Sequence, residues 1–141
     1  MSTLLFAYNQ GDEVEHGIAE KLLLQKEKVY VVDFFASWCG SCEKEMPHLS
    51  AFDKNREDIE VIGVDVDKDS AKAEAFQKRM REARKLTFRV VNDADNAIVK
   101  RFNPVGMPAL FIIKDGKVVD AVFGAKDGIE EILTQKIKEL K

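Results

Sequence analysis

Val29-Tyr30-Val31-Val32-Asp33-Phe34-Phe35-Ala36-Ser37-Trp38-Cys39-Gly40-Ser41-Cys42 is the stretch that decides the fold. Its first seven residues are apolar on both faces apart from Asp33, the pattern of a central strand covered by helices on each side. After Cys42, Met46, Leu49 and Phe52 recur at helical spacing and predict a helix with one buried stripe. The only two cysteines and the only tryptophan therefore sit at a strand-to-helix corner. Two intervening residues let both sulfurs lie in one turn, within the separation a disulfide requires, when the second cysteine is helical. A helix N-terminus, with free N–H groups and partial positive charge, favours a thiolate. Cys39 is expected to be the exposed nucleophile and Cys42, one turn in, the buried resolving thiol. That is the equipment of thiol–disulfide exchange.

Other readings of the pair stay open here. A structural disulfide across three residues would constrain the unfolded chain little. A zinc site needs about four ligands, and only His16 and His48 are there to join the cysteines. The pair is otherwise two inert thiols. Asp33 is expected to be buried, with a raised pKa, and either takes the proton of Cys42 or bonds a neighbouring backbone group. Glu45 falls three residues after Cys42, near the face that carries the sulfurs, and reads equally as a solvated charge beside Lys44.

The 141 residues, 45% hydrophobic and 33% charged with a net charge of −3, describe one soluble globular domain over 1–141. That charge gives no reason to expect nucleic acid, and no apolar run spans a bilayer, so no membrane insertion is expected. Met1 to Asn9 has no basic start followed by an apolar stretch, so no signal peptide is read there.

Along the chain, Thr3 to Tyr8 predicts a short strand, Asn9 to Asp12 a turn and Ile18 to Leu24 a helix. Ile59 to Val66 predicts a second core strand, with Gly63 allowing close packing. Asp67 to Ser70 turns into a helix reaching Arg84, followed by a strand at Phe88 to Val91 and a short helix capped by Asp93. Lys72, Lys78, Arg79, Arg81 and Arg84 on the long helix read as a solvated face, with acidic residues interspersed. Val105-Gly106-Met107-Pro108 leads into the apolar strand Ala109 to Ile113, and Asp115-Gly116 turns it back as Val118 to Phe123. Asp127 and Glu130 predict a capping box for a last helix bearing Ile129, Ile132, Leu133, Ile137 and Leu140. Pro47 is expected to kink the helix that carries it.

Asp33 to Cys42, Pro47 and Gly106-Met107-Pro108 together resemble the thioredoxin superfamily over nearly the whole chain. Cys42-Glu43-Lys44-Glu45-Met46-Pro47 is similar to the pattern of its TlpA and ResA group, and the segment from about 69 to 91 to that group's central insert. The resemblance implies a three-layer α/β/α thioredoxin fold with a mixed sheet and a central αβ insert. It also implies a cis bond before Pro108, and a substrate strand lying across Trp38, Gly106, Met107 and Pro108. Gly40, Ser41 and Pro47 would shape the site, and Glu45 matches a carboxylate that influences ionisation of the cysteines. Gly-Ser between the cysteines departs from the Gly-Pro of thioredoxin and the Glu-Pro of ResA, so the reduction potential does not carry over.

The expected activity is protein-disulfide oxidoreduction through Cys39 and Cys42, in the reducing direction, with Asp33 and Glu45 managing the proton. No cofactor or metal is expected beyond the redox disulfide itself. The implied partners are a disulfide-bearing protein substrate and a thiol electron donor, with the chain itself a monomer. Two alternatives are an oxidant or isomerase of the same fold, and a peptide- or metal-binding module without turnover. The group faces the periplasm or cell exterior, whereas a full-length chain without a signal peptide would be cytoplasmic.

Overall fold

The computed structural model describes residues 7–140. Five helices, α1 (His16–Leu22), α2 (Gly40–Lys54), α3 (Ser70–Glu82), α4 (Ala97–Phe102) and α5 (Ile129–Lys138), surround five strands. These are β1 (Val29–Phe35), β2 (Ile59–Asp65), β3 (Arg89–Asn92), β4 (Ala109–Lys114) and β5 (Lys117–Phe123). They form one sheet in the order β3-β2-β1-β4-β5. β1 is central, parallel to β2 and antiparallel to β4, with Val32 opposite both Ile62 and Phe111. β3 runs parallel to β2, and β5 antiparallel to β4.

Alternation along β1 divides the core. Val31 and Phe35 face a cluster with Met46, Leu49 and Phe52 of α2, Phe76 and Met80 of α3, and Ile129 and Leu133 of α5. Tyr30, Val32 and Phe34 face the other way, onto Ile18 and Leu22 of α1 and Ile98 and Phe102 of α4. Side chains of period two on a strand thus separate two helical layers, giving the α/β/α sandwich the resemblance implies. A fully buried Leu or Phe contributes roughly 1.5–3 kcal/mol relative to exposure, and both clusters are built of such residues.

Several boundaries differ from the sequence reading, each for a local reason. α1 ends at Leu22 because Leu23 takes a left-handed conformation (φ 55°) as its C-cap, which turns that side chain out to 68% exposure. α3 stops at Glu82, and Arg84 has φ 60°. The expected capping box at α5 does not form: the N-cap is Gly128 at φ 70°, with no side-chain cap. Asp93 does cap α4, but from upstream, accepting from the N–H groups of Ile98 and Val99 at 3.0 and 2.8 Å. The turn at Gln10–Gly11 is present, and Asp115 and Gly116, at φ 53° and 76°, make the predicted hairpin. Of the strand expected over Thr3 to Tyr8, residues 3–6 lie outside the described residues, and Ala7 and Tyr8 belong to no strand. Pro47 lies inside α2, and the Met107–Pro108 bond is cis.

Gly63 marks a true close approach. A Cβ there would stand 2.8 Å from Cε2 of Phe35, 3.0 Å from Cε1 of Phe88 and 3.2 Å from Cγ2 of Val90. Gly63→Ala is therefore expected to cost about 1–3 kcal/mol through overpacking, read as a lower urea midpoint at unchanged slope. An unchanged midpoint would show that Phe35 and Phe88 can move aside.

Candidate active site

The chain leaves β1 through a turn in which the Cys39 N–H donates to the Ala36 carbonyl at 3.1 Å. Cys39 is the N-cap of α2, and its Sγ accepts the N–H of Cys42 at 3.3 Å. The first sulfur therefore sits where the helix presents unpaired N–H groups, the environment that lowers a thiol's pKa. Cys39 and Cys42 are disulfide-bonded. Cys39 is 8% exposed and Cys42 1%, so the expected order of access holds although both are largely covered. Ser41 Oγ lies 3.7 Å from Cys39 Sγ, and Cys42 Sγ lies 4.0 Å from the Phe34 carbonyl oxygen. A Cβ on Gly40 would meet nothing within 4 Å, so that position faces open space.

Asp33 lies between Val31 and Phe35, on the strand face that carries the cysteines and α2. It is buried, and neither carboxyl oxygen has a hydrogen-bond partner among the described residues. The other buried polar residues there, Glu45, Ser50, Asp65, Asp67 and Asp93, all have one. The alternative in which Asp33 bonds a neighbouring backbone group is thus excluded by the geometry. Burial, and then the nearby charge of Glu45, push its pKa well above the ordinary carboxylate range. Glu45 is buried too: Oε2 accepts the Lys126 N–H at 3.2 Å, while Oε1 has no partner. Burial raises its pKa, opposed by the Lys126 N–H and by the charges of His48 and Lys126. Its reading as a solvated charge beside Lys44 falls with this burial.

A second pair of carboxyls, read from the sequence only as the end of a strand and a turn, holds the corner from the other side. Asp67 accepts from both Ser37 N–H and Ser37 Oγ at 2.8 Å, fixing the residue before Trp38. Asp65 Oδ1 in turn accepts the Asp67 N–H at 2.9 Å, and its Oδ2 accepts from Gln77 of α3 at 2.9 Å. Burial and the adjacent Asp67 push Asp65 up to about 6. The signal available in the sequence was Asp65-Val66-Asp67 at the C-terminal end of a buried parallel strand, where open α/β sheets place their functional groups.

Trp38, in the corner, is 70% exposed, and Val105, before Gly106, 85%. Gly106 and Met107 line a groove with Trp38, and the N–H and C=O of Met107 have no partner among the described residues. The histidines are elsewhere engaged, His16 with Glu20 and His48 with Glu130, each at 3.5 Å. No group of three or more His, Cys, Asp or Glu suited to a metal occurs among the described residues.

The family model described as Thioredoxin-like matches residues 27–118, from the start of β1 into β5. The chain belongs to the thioredoxin-like family. Among curated relatives of this thioredoxin-like chain, the thiol-disulfide oxidoreductase ResA of Bacillus thuringiensis subsp. konkukian is 34% identical over 113 residues, covering 77% of the chain and 63% of ResA. The ResA of Geobacillus kaustophilus is 28% identical over 122 residues, covering 83% and 68%. The chain thus spans somewhat under two thirds of the first of these relatives. Among solved structures, a Chlorobium tepidum protein described as a thiol:disulfide interchange protein DsbE superposes with a TM-score of 0.79 at 23% identity, over 94% of this chain and 98% of that one. StoA of Bacillus subtilis superposes at 0.67 and 22% identity, over 80% and 84%. These two likenesses bear on the thioredoxin-like fold alone.

The unpaired acid carries a stability signature. A carboxyl whose folded pKa exceeds its unfolded value binds more protons when folded, so stability is full below about pH 4 and falls as pH rises toward the folded pKa. Asp65, at about 6, completes its share near neutrality, and Asp33, raised well above the ordinary carboxylate range, adds a loss of the same sign. Wild type should therefore lose stability in urea titrations as pH rises from about 4 through about 6. Asp33→Ala should make the loss with rising pH smaller, and an identical slope in both proteins would place the Asp33 proton elsewhere.

Proposed function

We propose that the protein is a thiol–disulfide oxidoreductase that reduces disulfides in partner proteins. The carrying observation is the sulfur pair at the N-terminus of α2, with the buried, unpartnered Asp33 on the same face of β1. Sequence similarity to proteins named thiol-disulfide oxidoreductase ResA supports it.

In the reduced protein the Cys39 thiolate attacks one sulfur of a partner disulfide. A bond forms between Cys39 Sγ and that sulfur, the partner S–S bond breaks, and the departing partner thiolate takes a proton from water. Cys42 then loses its proton to Asp33 and attacks Cys39 Sγ. The Cys39–Cys42 bond forms, the mixed disulfide breaks, and the second partner thiolate leaves. Two electrons have passed to the partner, and a thiol donor must return them. A carboxyl with its pKa raised toward that of a thiol suits this step, because proton transfer between matched groups has little uphill cost. Glu45, through its charge, contributes to holding the Asp33 pKa high.

The direction of exchange is tested by equilibrating the protein in graded thiol–disulfide buffers and trapping the free thiols. A midpoint near about −250 mV or lower is expected, and one near about −120 mV would make it an oxidant. No reversible two-electron transition would reduce it to a binding module. In single turnover, Cys42→Ser should accumulate the mixed disulfide. Asp33→Asn should slow release of the reduced partner by about 10²-fold while leaving the first attack unaffected. Equal slowing of both steps would remove Asp33 from proton transfer.

A further inference from the structure

The groove beside the corner has a cavity volume of about 590 Å³, within the range of ligand-binding clefts. Its apolar lining comes from Trp38, Val66, Val99, Pro104 and Met107, and its remaining wall from α3, α4 and the loops that precede them. Among the described residues, four large apolar side chains are exposed: Leu23, Trp38, Val105 and Phe123. Trp38 lines the groove, Val105 lies in the chain between its lining residues Pro104 and Gly106, and Phe123 is paired in register with Ala109, the residue after Pro108. Exposed apolar side chains thus belong to the segments that form the groove, as they do at docking surfaces.

The charges on the rim are of two kinds. Lys68, Lys72 and Lys100 line the groove, are exposed, and form no ion pair among the described residues. Asp67 and Asp69 also line it: both Asp67 oxygens accept from Ser37, and the exposed Asp69 accepts the N–H groups of Ala71 and Lys72 at Oδ1. The rim thus carries three ammonium groups on flexible stems against two carboxylates held close to the backbone, next to the N-terminus of the 13-residue α3. Positive charge is in excess there in a chain of net charge −3. Below it, Met107 offers an unpaired N–H and C=O to an extended backbone.

We propose that this groove selects its substrate: an extended, disulfide-bearing segment of a partner protein, with an apolar side chain beside the cysteine and acidic residues flanking it. The inference rests on the exchange reading above and adds to it the chemical class of the partner. Lys68, Lys72 and Lys100 are the specificity-determining residues. They act on capture of the segment through complementary charge, whose effect on association is large and falls with ionic strength.

The test uses nonapeptides carrying one cysteine as its mixed disulfide with mercaptoethanol, an adjacent Leu, and flanks of Glu, Gln or Lys, with dithiothreitol regenerating the Cys39–Cys42 dithiol and its direct reaction with each peptide subtracted. The quantity read is the ratio of kcat/KM between the acidic and neutral peptides within one enzyme, so that variants with altered folding are scored against their own neutral turnover. In wild type at low salt this ratio is expected to be about tenfold or more, with the basic peptide poorest. It should collapse toward one at about 1 M salt, where the Debye length is near 3 Å. In Lys68→Glu/Lys72→Glu/Lys100→Glu the order of acidic and basic peptides should reverse. Turnover of all three peptides at equal kcat/KM, or a preference the triple variant leaves intact, would overturn the acidic-segment proposal while leaving exchange standing. Failure to turn over any disulfide, including neutral 2-hydroxyethyl disulfide, would overturn both.

Discussion

β1 is paired with β2 over Val29–Phe35 on one side and with β4 over Val29–Phe34 on the other, and its side chains fill two separate cores. A strand so placed has no solvent for a polar group, which makes the unpartnered carboxyl of Asp33 the least comfortable group in the sandwich. It is tolerated two residues from the end of the strand that delivers Cys39 to the N-terminus of α2. The geometry of the corner follows from this strand: pleat parity sets which face Asp33 and Phe35 share with the cysteines, and the length of β1 sets where the turn at Ala36 begins. Strain or desolvation accepted at a site needs rigid surroundings, and the double ladder of β1 supplies them.

Much of this was legible from local pattern. The limits of β1, the buried stripe of α2 and the Asp115-Gly116 hairpin each depend on residues adjacent in sequence, where periodicity and turn chemistry speak directly. Gly63 was legible as a place of close packing, though not which rings it admits. The misreadings involve ends and caps. The helix read over Ile18 to Leu24 ends at Leu22, because Leu23 takes a left-handed backbone and its side chain turns outward. Asp127 and Glu130 had the spacing of a capping box, but the helix begins after Gly128 instead.

The site divides along the same line. Cys39, Cys42 and the raised pKa of Asp33 could be reasoned from one continuous stretch. Glu45 could not be placed by spacing alone, because its burial depends on the loop at Lys126, 81 residues away. Likewise Asp67 and Asp65 reach Ser37 and Gln77 across the top of the sheet, and the groove joins side chains from the corner, from α3 and α4, and from the Gly106–Met107 loop. Contacts of that kind are set by topology, and sequence without a fold gives their ingredients but no distances.

One position carries a consequence for how the molecule will be observed. Trp38 is the only indole in the chain, stands 70% exposed, and directly precedes Cys39, one sulfur of the disulfide. Its emission is therefore a local gauge: it registers the electronic state of the corner and whatever covers the groove. The two cores, lined with phenylalanine and aliphatic side chains and, in one of them, the two tyrosines Tyr8 and Tyr30, are nearly dark at the same wavelength. An unlabelled sample thus carries its own optical probe at the disulfide corner, and comparing a melting curve followed by indole emission with one followed by backbone dichroism tests whether that corner loosens together with the sandwich.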